Sequence, residues 1–264
     1  MHKNNLLSSE RRQKILEFVT EKRSVSVDEL TALFPVSAIT VRRDLDRLSE
    51  AGLLRRVHGG AMALSNIVIA PRASEMSSHL TEDQKRIGKE GSTRIADGDF
   101  LIIESGSTCI ALVNSLNEKK QLKVVSVSPR IIMLLADMSE KYNSDFEIIS
   151  SGGILNVYKN FFIGPHAMNL LGEITVDIAF ISVTAIDLES GITADNVYEA
   201  EISRMILQRC AKKKIGLVYS SKFGKVSFVK VAPVEVLDEI ISDMHLPPDI
   251  AAQYTERGIK MTLV

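Results

Sequence analysis

Several functional classes are excluded by what this sequence lacks. No uninterrupted apolar run reaches the ~20 residues of a bilayer-spanning helix, so no transmembrane segment and no membrane partner is expected. Residues 1–12 hold no apolar stretch of the signal-peptide kind, and a cytoplasmic location is expected. There are only two cysteines, Cys109 and Cys210, too far apart for metal or redox spacings. Isolated thiols of this kind suit a reducing compartment and serve as packing. No Walker lysine loop and no Gly-x-Gly-x-x-Gly fingerprint occurs, which argues against a nucleotide. No metal and no cofactor is expected.

What is present is an ordinary globular composition: 264 residues, 45% hydrophobic and 25% charged, enough for one large domain or two. The net charge of −1 hides an asymmetry. Residues 1–60 carry 11 Lys/Arg against 8 Asp/Glu, and the remainder carries 21 against 25. A basic head on an acidic body points weakly to nucleic acid at the head.

The head has a sharper pattern than its charge. Ser9 opens a helix in which Ile15, Leu16, Phe18 and Val19 share a face to about Lys22. An extended stretch, 24–27, leads into a short helix with Leu30, Leu33 and Phe34 inward, which Pro35 stops. Ser37 is placed to cap the next helix. There Val41, Leu45 and Leu48 form the buried stripe, and at about 100° per residue Arg43 lies nearly opposite it. Arg42 and Arg47 flank it, with Thr40 on the outward side of the first turn. A helix with bulk inward and arginines outward is built to enter the major groove, where a guanidinium holds a phosphate or the O6/N7 edge of guanine. The competing reading is a solvated helix whose arginines pair with Asp44, Asp46 and Glu50. Gly52 ends the helix, and a hairpin turning at Gly59-Gly60 follows, carrying Arg55, Arg56 and His58 as a wing along the DNA. No second His or Cys lies at ligand spacing from His58, so it is not read as a metal ligand.

Val-Ser-Ala-Ile-Thr-Val-Arg-Arg-Asp-Leu-Asp-Arg-Leu (36–48) with Gly-Leu-Leu-Arg-Arg-Val-His-Gly-Gly-Ala (52–61) resembles the DeoR family of bacterial transcriptional regulators. The resemblance implies sequence-specific binding of a double-stranded DNA operator. Ser37 and Thr40 would sit on phosphates, Arg42 and Arg43 would be the leading readers, and Arg47, Arg55, Arg56 and His58 would be further contacts. One winged head has a small footprint, so two half-sites and a homo-oligomer, dimer or tetramer, are expected.

Beyond residue 80, short apolar strands alternate with helices. Strands are read at 100–103, 123–127, 146–149, 177–182, 215–219 and 239–242, and helices at 81–96, 110–116, 130–138 and 198–210. This alternation means a mostly parallel α/β sheet, whose ligands sit at the carboxyl ends of the strands. Those ends carry Ser105-Gly106-Ser107-Thr108, then Ser126 and Ser128, then Gly152-Gly153, then Ser220-Ser221-Lys222. Hydroxyls and glycine amides entering a helix form an anion cradle, and Lys222 adds charge. Together they suit a phosphorylated, polyhydroxylated small molecule. Cys109 is read as packing.

The body also resembles the effector domain of the same family, which is similar to ribose-5-phosphate isomerase. The matching stretches are 104–108, 151–153, 177–180, 191–193, 199–200 and 220–224. The resemblance implies a repressor of a carbohydrate operon, released by a phosphorylated sugar. This chain departs from the family pattern at Ser126-Val127-Ser128, Ser182-Val183-Thr184 and Glu104, where the family carries Thr-Asn-Ser, a glycine-rich strand end and Asp. Two rival readings stand beside it. One is an isomerase-like enzyme using Glu199, Asp195 or Glu104 as base and Lys222 for charge. The other is a DNA-binding protein whose body only oligomerises. The expected organisation is a winged helix-turn-helix domain over 1–62, a linker over 63–80 and an effector-binding, oligomerising α/β domain over 81–264.

Overall fold

The computed structural model describes residues 8–22, 24–50, 53–57, 59–63, 80–157 and 159–264. They fall into two compact units, within Met1–Ile67 and Val68–Val264.

The first unit runs α1 (Ser8–Lys22), β1 (Ser24–Ser26), α2 (Val27–Leu33), α3 (Ala38–Glu50), β2 (Arg55–Val57) and β3 (Gly60–Met62). Its strands form an antiparallel sheet in the order β1-β3-β2. A capping box starts α2: the Ser26 hydroxyl accepts the Glu29 N–H, and the Ser26 N–H donates to the Glu29 carboxylate at 2.7 Å. Phe34 leaves the helix in an extended conformation ahead of Pro35. Ile15, Val19, Leu30, Phe34, Val41, Leu45 and Leu48 build the core. Leu33, expected inward, is instead 55% exposed, because the chain turns out of the helix at Phe34 and that ring takes the inward place. Gly60 allows β3 to approach β1: a Cβ there would lie 2.1 Å from the Val25 carbonyl oxygen. The Ser9 side chain, the helix stop at Gly52 and the residues 64–79 of the expected linker lie outside the described residues.

The second unit continues with α4 (Glu82–Ser92), β4 (Phe100–Ile103), α5 (Ser107–Val113), β5 (Lys123–Ser126), α6 (Pro129–Tyr142), β6 (Glu147–Ser150), β7 (Ile154–Asn156), β8 (Phe161–Ile163), α7 (Pro165–Glu173), β9 (Val176–Ile181), β10 (Ala185–Asp187), β11 (Gly191–Ala194), α8 (Val197–Met205), β12 (Ala211–Leu217), β13 (Val229–Ala232), β14 (Glu239–Ser242), α9 (Pro248–Glu256) and β15 (Lys260–Leu263). Seven strands pair in the order β15-β14-β12-β9-β4-β5-β6, and every pairing is parallel. Successive strand residues face opposite sides. Leu101, Ile103 and Phe180 join one apolar core with Ile87 and Leu112. Ile102, Ala179 and Ile181 join the other with Leu171, Ile202 and Tyr254. Both faces are thus covered, as a parallel sheet requires. The helix expected over 198–210 begins at Val197 and widens after Met205 into a π-turn over Ile206–Cys210. Two small antiparallel pieces, β7-β8 and β10-β11-β13, flank the main sheet.

Candidate functional site

In the first unit, α3 separates its charges by face. Asp44 is buried and accepts from the Arg11 Nε of α1 at 2.6 Å, with Arg12 at 3.6 Å. Asp46 accepts from Arg56 of β2 at 2.8 Å, and Arg56 also donates to the Gly60 carbonyl. The aspartates that could have neutralised the helix's arginines are therefore engaged elsewhere. Arg42, Arg43 and Arg47 stand exposed, beside Ile39 at 62% exposure. The Ser37 and Thr40 hydroxyls lie 3.0 Å apart at the start of the helix, and the Ser37 oxygen accepts the Thr40 N–H. Arg55 is exposed on the hairpin, whereas Arg56 ties the hairpin to α3. His58 lies outside the described residues.

In the second unit a cavity of about 260 Å³ opens at the carboxyl ends of β5, β4, β9 and β12. Of the residues expected to bind an effector, Ser105, Gly106, Ser107, Thr108, Ser128 and Lys222 lie on its wall. Gly106 has φ 107° and precedes the first turn of α5. Gln84, itself half of the capping box that begins α4, donates to the Ser107 hydroxyl at 2.9 Å. The Thr108 hydroxyl donates to the Leu217 carbonyl, which ties the β4 loop to β12. Burial lowers the pKa of Lys222, and the like charge of Lys225 works in the same direction.

Three expected residues are off the wall. Ser126 is fully buried: its hydroxyl lies within hydrogen-bonding distance of the Ile103 and Glu104 carbonyls and accepts the Ser128 N–H, so it shapes the β5 end from behind. Gly152 and Gly153 turn the chain from β6 into β7. A Cβ on Gly153 would meet the Ile163 carbonyl at 2.5 Å, so this glycine serves the contact with β8.

The cavity also gathers residues absent from the expected effector set. Lys159 and Asn160 come from the β7–β8 turn, Arg130 from α6, Thr184 from the end of β9 and Glu199 from α8. Lys159 binds Asp195 and approaches Glu199 at 4.0 Å. The Thr184 hydroxyl and Asn196 amide donate to the Glu199 carboxylate. Burial and the neighbouring Asp195 push Glu199 up to about 7, against the pull of Lys159. Glu104 is buried, accepts from the Ser203 hydroxyl, and is pushed up to about 8 by burial. Cys109 is buried and its thiol is pushed up by burial, which makes it inert packing.

Among the described residues, Asp83, Asp243 and His245 bring potential metal-ligand atoms within 4.8 Å of one another. These groups already serve each other and their neighbours. Asp83 binds Arg86 and the Tyr219 hydroxyl, and Asp243 accepts the Ser220 and His245 N–H groups. No described helix is long and apolar enough to cross a membrane.

Comparison with known proteins agrees with this division. Residues 11–66 match the DeoR-like helix-turn-helix domain, and residues 80–244 match the DeoR C-terminal sensor domain. The HTH-type transcriptional regulator GolR of Listeria innocua is 27% identical over 96% of this chain and 98% of its own length. The glycerol-3-phosphate regulon repressor of Escherichia coli is 27% identical over 97% and 98%. Among solved structures, a D-ribose-5-phosphate isomerase in complex with phospho-erythronic acid aligns with 57% of this chain and 54% of that one, at TM-score 0.38 and 18% identity.

Proposed function

Since the chain belongs to the DeoR family of transcriptional regulators, we propose that it represses a carbohydrate operon and leaves its operator when a phosphorylated sugar fills the cavity of the second unit. The observation that carries this reading is the cavity at the strand ends, walled by the Ser105–Thr108 loop, Ser128 and Lys222. Hydroxyls, main-chain amides and a cation around a space of about 260 Å³ fit a small anionic polyol. The phosphate lies in the Ser105–Thr108 loop with Lys222 adding charge, and Glu199 accepts sugar hydroxyls.

In the head, which we take as residues 1–62 joined through 63–80 to a body of 81–264, Arg42 and Arg43 read the operator. Ser37 and Thr40 hold phosphates, and Arg47, Arg55 and His58 add contacts. Arg56 acts by bracing the wing. The protein works in the cytoplasm as a homo-oligomer, with one head on each half-site. By linkage the sugar weakens DNA binding only as far as it prefers the DNA-free state; a coupling of ~1–3 kcal/mol shifts operator affinity about 5- to 150-fold.

The test is calorimetry with a panel of sugar phosphates on the wild type and Ser105→Asp, paired with operator mobility shifts. A carboxylate in the loop should repel the phosphate. If Ser105→Asp binds the best ligand as tightly as the wild type, the phosphate is elsewhere.

A further inference from the structure

We propose that Arg130 makes the β5 end of the cavity its anion-selecting end, receiving the ligand's phosphate dianion together with the Ser105–Thr108 loop while the ligand's hydroxyls extend toward Glu199. This rests on the phosphosugar reading above and adds which residue selects for phosphate and which way the ligand points.

The sheet order sets the placement. Around the cavity the strands run β12-β9-β4-β5, and their following loops supply Lys222, Thr184, the 105–108 loop and Arg130 in that order. Arg130 therefore borders the 105–108 loop. Lys222 follows a strand three positions from β5, about 14 Å across the sheet at ~4.8 Å per strand. It sits within the electrostatic reach of Asp195 and Glu199. Arg130 and Lys222 therefore stand apart along the sheet, and the third cation on the wall, Lys159, is already bound to Asp195.

Arg130 also stands apart in its charge pairing: Arg12 too has a buried Nη1 without a hydrogen bond, but that atom lies 3.6 Å from Asp44. The Arg130 Nε is closed to solvent and has no hydrogen-bond partner among the described residues, although the side chain lines the cavity. Arg11, Arg56 and Arg94 each rest on a carboxylate. A buried guanidinium N–H left without an acceptor is costly, and a turn of the side chain toward an oxyanion in the cavity would satisfy it. The planar fork suits phosphate in two-point contact. Nearby Glu104, held in its neutral form up to about 8 by burial, does not repel an anion there at neutral pH.

The experiment is a thermal-shift titration of the full-length chain at constant ionic strength. The probes are inorganic phosphate, glycerol 3-phosphate, fructose 1-phosphate and glucose 6-phosphate, applied to wild type, Arg130→Met and Arg130→Lys. Arg130→Met should weaken phosphate and sugar-phosphate binding roughly ten- to a hundredfold, the range for a charged hydrogen bond. Arg130→Lys should restore part of it. The ligand-free melting temperature of Arg130→Met should equal or exceed that of wild type, because an unpaired buried donor has been removed; a merely structural arginine would lower it. Full retention of binding by Arg130→Met overturns this inference alone. A wild type that responds to none of the four probes overturns the phosphosugar reading with it.

Discussion

Replacing Asp44 by Ala should disable the operator-binding head without touching any residue that faces DNA. The Asp44 side chain is 5% exposed and holds Arg11, 12% exposed, with Arg12 close by. Removing one partner of a buried pair costs about 3–5 kcal/mol, because the other charge is stranded. The partial exposure of Arg12 gives it water to turn to and places the figure near 3 kcal/mol. A domain the size of the matched 11–66 segment has only about 3–8 kcal/mol in total at 0.05–0.15 kcal/mol per residue. The substitution thus removes a third or more of the head's stability, and at the lower bound all of it. Far-UV circular dichroism in urea and an operator mobility shift, both on the full chain, read the two consequences. Asp44→Asn retains an acceptor for Arg11 and should lose about 1–2 kcal/mol. Combining Asp44→Leu with Arg11→Met replaces the ion pair by apolar contacts and should recover both folding and DNA binding. An Asp44→Ala protein with the wild-type midpoint and operator affinity would refute the reasoning, as would a double variant no better than the single one.

On the exposed face of α3, Arg43→Ala should weaken operator binding by about 1–3 kcal/mol at fixed salt; unchanged affinity for both Arg43→Ala and Arg42→Ala removes them as readers. Glu239 is fully buried, which works to raise its pKa, but hydrogen bonds from Arg94, Lys213, Thr262 and Lys260 outweigh that and hold it at about 2. Its contribution is present above 4.5 and lost as pH falls through 2, so Glu239→Gln should melt earlier at pH 7 and show a shallower loss between pH 5 and 2 in a melting series. Glu104 has the opposite sign: burial raises it from 4.5 to about 8, so stability is full below 4.5 and declines as pH rises through 8. Melting of Glu104→Gln between pH 5 and 9 should therefore be flatter than wild type, and a parallel decline would contradict it.

Six of the seven strands of the main sheet were readable as short apolar runs, as Phe100–Ile103 and Glu239–Ser242 illustrate, whereas β15, which alternates Lys, Met, Thr and Leu, was not. The readable strands let the loops at 105–108 and 220–222 be assigned to strand ends. Ser126 shows where this reasoning stops. A hydroxyl turned to neighbouring carbonyls and one turned to a cavity are identical in sequence, and only the path of the chain separates them. Lys159 was missed because it reaches the cavity from the β7–β8 turn, away from the tip of a parallel strand, and Arg130 because it stands in the first turn of α6, where the sequence shows a helix rather than a loop of small polar residues. Three-residue strands such as Ile154–Asn156 carry too little periodicity to announce themselves. In the head, the face of α3 was legible from its period, but not that Asp44 would reach across to α1.

The two units should also acquire their structure at different speeds during synthesis. In the head, the pairing Arg55↔Met62 joins the two arms of one hairpin, and Ser24↔Met62 spans about half the separation that the centre of the large sheet must close. At the centre of the large sheet, Leu101 of β4 pairs with Ile178 of β9, and β12 must then add to the other side of β9. Closing so long a loop before any contact rewards it is slow. The β9 side of β4 stays an unpaired strand edge until β9 has left the ribosome, and an edge of this kind leaves the chain open to aggregation and to chaperone capture. A folded head on an unfinished body would then exist transiently in every round of translation.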